Sequence, residues 1–126
     1  MERNVIRSND APAPIGPYSQ AVEAGEFIFC SGQIPLDPQT GLLVGGDIQA
    51  QTRRILDNFE AVLKAAGSSL SRTVKLTVYL TSLSDFEGLN RTLTERFPLH
   101  PPARAVVEVS ALPKGASVEM DLIAVK

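Results

Sequence analysis

The segment Thr73–Thr81 alternates without a break: Val74, Leu76, Val78 and Leu80 are separated by Lys75, Thr77, Tyr79 and Thr81. Side chains along a strand point to opposite faces in turn, so this pattern predicts a strand with one dry face. A dry face needs a covering layer, and two helical stripes in the same chain supply one. Over Asp47–Ala66, Ile48, Ile55, Phe59, Val62, Leu63 and Ala66 recur at helical spacing, and Gly67 follows as a stop signal. Further on, Ser84-Asp85-Phe86-Glu87 reads as a capping box, and Phe86, Leu89, Leu93 and Phe97 form a second stripe ended by Pro98, Pro101 and Pro102.

The remaining strands fall around these elements. Ala21–Ala24 and Phe27–Ser31 flank Gly25-Glu26 and predict a hairpin, with a weaker strand before them near Val5. Pro12, Pro14 and Pro17 keep the opening extended, and the DPQTG and Gly-Gly turn signals make Pro35–Gly46 an ordered loop. Ala103–Val109 and Ser117–Val125 alternate on either side of the Pro113-Lys114-Gly115 turn. The expected order is β-β-β-α-β-α-β-β, an α+β domain over residues 1–126 with one mixed sheet and both helices on one face.

Strand parity carries a further expectation. With Ala105, Val107, Val118, Met120 and Leu122 toward the helices, Arg104 and Glu119 project together from the opposite face, beside Val106, Ile123, Val125 and Tyr79. A face that mixes apolar and charged residues predicts burial against another copy of the chain, so a homo-oligomer is expected.

Composition removes several classes of function. No apolar run approaches the ~20 residues that span a bilayer. The opening MERNVIRSND has no apolar signal core, and Cys30 is the only cysteine, so a reducing, cytoplasmic setting is expected. One Cys and one His cannot make a metal-ligand cluster. The net charge is −2 with scattered Lys and Arg, which argues against a nucleic-acid surface. There is no P-loop, dinucleotide turn or Ser-His-Asp order.

The candidate chemistry is therefore thin. Arg104, at the start of a strand after Pro101-Pro102-Ala103, suits bidentate capture of a carboxylate, though the pattern alone favours a structural ion pair with Glu119 or Glu108. Glu119 is either a water-positioning base or a surface glutamate. Tyr18 covers a pocket or simply packs, and Gly32, after Ser31, gives a ligand backbone access or makes a turn. Cys30 lies in an apolar run and reads as an inert core thiol; His100 reads as a solvated loop residue.

A wider set of residues adds to this. Ala13–Val22 (APIGPYSQAV), Ser31–Pro38 (SGQIPLDP), Gln51-Thr52, Ala65-Ala66-Gly67, Val74-Lys75, Asp85-Phe86, Asn90, Pro102-Ala103-Arg104 and Leu112–Gly115 (LPKG) resemble the reactive intermediate/imine deaminase family, RidA or YjgF-like. The resemblance runs in order from about Asn9 to the C-terminus. It implies a chorismate-mutase-like trimer around a central sheet barrel, with three clefts between subunits. The implied activity is cofactor-independent hydrolysis of 2-iminobutanoate and 2-iminopropanoate to 2-keto acids and ammonia. These imines derive from enamines that pyridoxal-phosphate enzymes release, a form of metabolite damage control. Carried over, Arg104 clamps the carboxylate and Glu119 orients water, while Tyr18, Ser31, Gly32 and Asn90 shape the cleft. Where well-known members have Ser-Cys after the arginine this chain has Ala105-Val106, so only the Val106 backbone can serve there. The competing readings are a non-catalytic trimer that binds small carboxylates, an endoribonuclease or translation inhibitor, and the same enzyme class acting on aminoacrylate derivatives or other enamines.

Overall fold

A computed structural model describes residues 2–126. Its elements are β1 (Arg3–Ile6), β2 (Ala21–Ala24), β3 (Phe27–Gln33), α1 (Ile48–Ala65), β4 (Thr73–Leu80), α2 (Phe86–Arg96), β5 (Ala103–Glu108) and β6 (Val118–Val125). The six strands form one sheet in the order β1-β2-β3-β6-β4-β5. All pairs are antiparallel except β4 with β5, which the α2 crossover makes parallel. The last strand of the chain thus inserts between β3 and β4. No helix among the described residues is long and apolar enough to cross a membrane.

Both helices cover one face of the sheet. Ile55, Phe59 and Leu63 of α1 and Leu89 of α2 pack with Ile28, Leu76, Val78, Leu80, Met120 and Leu122 in a single buried core. The Asp47 side chain accepts the Ala50 N–H at 2.9 Å and starts α1, as an N-cap should. Gly88 lets the helices touch, since a Cβ there would collide with Ile48. The expected Ser84–Glu87 capping box does not form. A 3-10 turn, Leu83–Asp85, precedes α2 instead; the Ser82 side chain accepts the Ser84 N–H, and Glu108 accepts the Leu83 N–H at 2.9 Å. A neighbouring strand end has taken the role expected of a local side chain.

Two parities differ from the alternation pattern. A register shift between Thr73 and Lys75 turns Val74 outward and buries Thr73, whose hydroxyl donates to the Leu70 carbonyl at 2.7 Å. The second difference decides the site. In the parallel β4–β5 ladder Arg104 stands beside Leu76, Val106 beside Val78 and Glu108 beside Leu80. Leu76, Val78 and Leu80 are fully buried under the helices, so Arg104 and Val106 lie on the helix face, the reverse of the expected parity. The strand's own pattern favours Ala105 and Val107 inward, since charged Arg104 and Glu108 flank Val106, but the register with β4 overrides it. β6 keeps the expected parity, with Met120 and Leu122 inward and Glu119 outward.

The outward face is apolar and uncovered in a single chain. Phe27 and Phe29 are each 45% exposed and Val107 is 43% exposed, with Ile123 and Val125 alongside them. Beyond the sheet, the Pro35–Gly46 loop is ordered by the Leu36↔Leu43 bridge and by Asp37, whose carboxylate accepts the Gln39 and Thr40 N–H groups. Buried Asn58 of α1 anchors this loop, donating to the Leu36 carbonyl at 2.9 Å and accepting from Arg54 at 3.2 Å. Asn58→Ala orphans that carbonyl, and urea denaturation should show a loss of about 1–3 kcal/mol.

Candidate functional site

The sheet carries an irregularity beside its centre. β3 pairs with β6 from Phe27↔Val125 to Cys30↔Leu122 and resumes at Gln33↔Met120, so Ser31 and Gly32 together oppose the single residue Asp121. The bulge brings the Gly32 backbone against Glu119; a Cβ on Gly32 would lie 2.6 Å from Glu119 Oε2. Only glycine leaves that carboxylate where it is. The Ser31 hydroxyl donates to the Ser19 carbonyl at 2.6 Å and the Ser31 N–H to the Gln20 carbonyl at 3.0 Å. Buried Gln20 in turn bonds Ser8 and Pro12, fixing the proline-rich opening over the bulge. Tyr18 stands on that opening, its hydroxyl accepting the Ile15 N–H at 3.3 Å. Tyr18, Gly32 and Glu119 line one cleft of about 290 Å³, with Leu36 and Lys114 on its walls. Burial, and then the Asp121 carboxylate, raise the Glu119 pKa, which suits a carboxylate meant to take a proton.

Arg104 lies elsewhere. Its guanidinium donates to Asn90 Oδ1 on α2 and sits over the Phe86 ring, 5.4 Å from the centroid. Arg104 and Asn90 line a second cleft between α2 and the start of β5, walled by Leu76, Phe97 and Pro101. The ion pairs among the described residues are Arg53–Glu95, Arg96–Asp57 and Lys126–Glu23, so Arg104 pairs with neither Glu119 nor Glu108. An exposed guanidinium held in one orientation with no carboxylate partner has the chemistry to take an anion through paired N–H donors.

Comparison with known proteins shows which family the chain belongs to. A family model described as Endoribonuclease L-PSP matches residues 8–126. A RutC family protein of Pyrococcus abyssi is 52% identical over 126 residues, covering 100% of this chain and 99% of the relative. The chain belongs to the RidA/YjgF family. Another RidA relative, the chloroplastic Reactive Intermediate Deaminase A of Arabidopsis thaliana, is 40% identical over 98% of this chain and 66% of its own, longer length. The structure of E. coli TdcF with bound serine superposes with a TM-score of 0.91 at 40% identity, covering 98% of each chain.

Within this RidA-family chain, Tyr18, Gly32 and Glu119 come together, and so do Asn90 and Arg104, but the two groups occupy opposite faces of the sheet. Ser31 serves the first cleft indirectly, by tying the bulge to the Tyr18 loop. The Val106 side chain packs against the core, which leaves its backbone on the free edge of β5. Three residues escaped the sequence reading. Phe86 looked like an apolar-stripe residue, yet it is 39% exposed and shelves Arg104. Lys114 adopts a left-handed backbone (φ 57°) at the wall of the Glu119 cleft, where the Lys-Gly dipeptide hinted only at a turn. Asp121 gave no signal beyond its parity with Glu119.

Cys30 is buried and its pKa is pushed up to about 12 by burial. The native protein should therefore resist iodoacetamide at pH 8, and mass spectrometry should show full alkylation only after denaturation.

Proposed function

We propose that this chain is a 2-iminobutanoate/2-iminopropanoate deaminase whose active site is completed by a second copy of the chain. One observation carries the reading: Arg104 has no carboxylate partner, and Glu119 projects from the other face of the same sheet. Within one subunit the two cannot bracket a three- or four-carbon acid. Across subunits they can, and the uncovered apolar face around Phe27, Phe29 and Val107 supplies a surface for association. The family resemblance fits a trimer of the chorismate-mutase-like kind, with one such cleft at each subunit boundary.

In this mechanism Arg104, steadied by Asn90 and Phe86, holds the substrate carboxylate through paired N–H donors. The 2-imino carbon then faces the Glu119 cleft of the neighbouring copy. Glu119 orients a water molecule, whose oxygen bonds to the imine carbon while a proton passes to the carboxylate. From the protonated imine this gives a neutral carbinolamine. Glu119 returns the proton to its nitrogen and takes up the hydroxyl proton as the C–N bond breaks, so that ammonia departs and a 2-keto acid remains. Imine hydrolysis is intrinsically easy, so the contribution is orientation and charge complementarity, and no cofactor is required. The neutral backbone of Gly32 leaves space beside Glu119 for the water and the reacting carbon.

The bound serine of the TdcF structure shows a small amino acid carried by a relative, which accords with a carboxylate clamp and equally with a non-catalytic carboxylate sensor. Catalysis separates them. With a pyridoxal-phosphate threonine dehydratase as the source of imine, the wild-type protein should speed the loss of free imine. Arg104→Ala and Glu119→Gln should each lower kcat/KM by about 10²-fold. Imine decay unaffected by the wild-type chain would overturn the deaminase reading and leave the sensor. Cleavage of RNA, lost in the same two variants, would favour an endoribonuclease instead.

The shared cleft has its own test. Equimolar Arg104→Ala and Glu119→Gln chains, unfolded and reassembled together, should regain roughly a quarter of wild-type activity, since random mixing gives that share of clefts both intact groups. A mixture as inactive as its parents would place both groups in one chain's site.

A further inference from the structure

Glu119 is not the only carboxylate on the outward face of β6. Asp121 follows it by two residues on the same face, so the two negative charges are near neighbours on the sheet. Tyr79 of β4 stands directly across from Glu119, while Asp121 stands across from Thr77. The phenol nevertheless reaches diagonally, donating to Asp121 Oδ2 at 2.9 Å. A phenol has one proton to donate. Given to Asp121, it pins that carboxylate and is withheld from Glu119, where a donated hydrogen bond would weaken the base. Asp121 does not line the Glu119 cleft.

We propose that Asp121, held in place by the Tyr79 hydroxyl, is a positioning residue whose negative charge strengthens Glu119 as the base of the reaction; this rests on the role given to Glu119 above. The other groups around Glu119 define what Asp121 works against. Lys114 and Tyr18 line the same cleft, β3 contributes only uncharged Gly32 and Gln33, and Lys75 of β4 lies across from Ile123, two pairs beyond Asp121. A second copy would add Arg104. Cations favour the ionised form of Glu119 and make it a poorer base, and Asp121 offsets them. The direction of the Glu119 shift agrees, with Asp121 as its second cause after burial. The Tyr79 pKa is itself raised, first by its bond to Asp121, so the phenol keeps its proton through the neutral range.

The test is a carbon-13 NMR titration of the Glu119 side-chain carboxyl in the intact oligomer, wild type against Asp121→Asn. Asparagine keeps an acceptor for the Tyr79 hydroxyl and removes only the charge. The Glu119 midpoint should fall by roughly half a pH unit or more, the size expected for one like charge at this range in a partly solvated setting. The acid limb of kcat/KM should move the same way, and Asp121→Glu should bring both back toward wild type. An unchanged midpoint in Asp121→Asn overturns the proposal. Should that variant not fold, Tyr79→Phe carries the test: an unpinned Asp121 turns toward water, the midpoint falls by less, and no change overturns the proposal. Full activity in Glu119→Gln would remove Glu119 from the mechanism without touching the titration, so the two failures are distinguishable.

Discussion

The structure depends on the insertion of the final strand between β3 and β4. Among the described residues, β6 is the element that pairs with both halves of the sheet, β1–β3 on one side and β4–β5 on the other. Its inward residues, Val118, Met120, Leu122 and Ala124, are all essentially inaccessible and belong to the core that α1 covers. Because side chains alternate strictly, that inward demand fixes the outward set of Glu119, Asp121, Ile123 and Val125. The hydrophobic core thereby decides where the site carboxylate points. A slip of one residue would bury both acids and expose the core set, a cost far above any local preference of the loops.

The same sheet separates two groups that the proposed chemistry needs together. Arg104 is held by α2 on the helix face, over Phe86 and beside Asn90. Glu119 is held by the β3 bulge on the other face, against Gly32. In one chain this keeps a strong cation from neutralising a carboxylate whose proton affinity is raised by burial and by Asp121. A cleft between copies would then unite them only around a ligand, with the substrate carboxylate taking the guanidinium.

Much of the fold was legible because most elements announce themselves by period. The stripe Ile55, Phe59, Val62 and Leu63 and the alternation Leu76, Val78 and Leu80 became the core as expected, and Gly25 turns the hairpin with φ 58°. Pattern failed where the more apolar set of an edge strand faced away from the helices. Ala105 and Val107 are the more apolar set of β5, yet the parallel register with β4 puts Arg104 and Val106 on the helix face and turns Val107 to the uncovered apolar one. It failed again at Val74, turned outward by a bulge, and at Ser84, whose capping role passed to Ser82 and to Glu108 from a distant strand. Pairing between segments far apart in sequence lies behind each of these.

Sequence by itself determined the α+β class, the element order, the inert thiol and, through its ordered motifs, the family. Those properties follow from periods and turn chemistry that each segment carries alone. The separation of Arg104 from Glu119, the seating of Gly32 against that carboxylate and the choice of Asp121 by the Tyr79 hydroxyl were decided only in three dimensions. Each depends on which residue of one strand stands beside which residue of another, and that register is settled when the whole core closes at once.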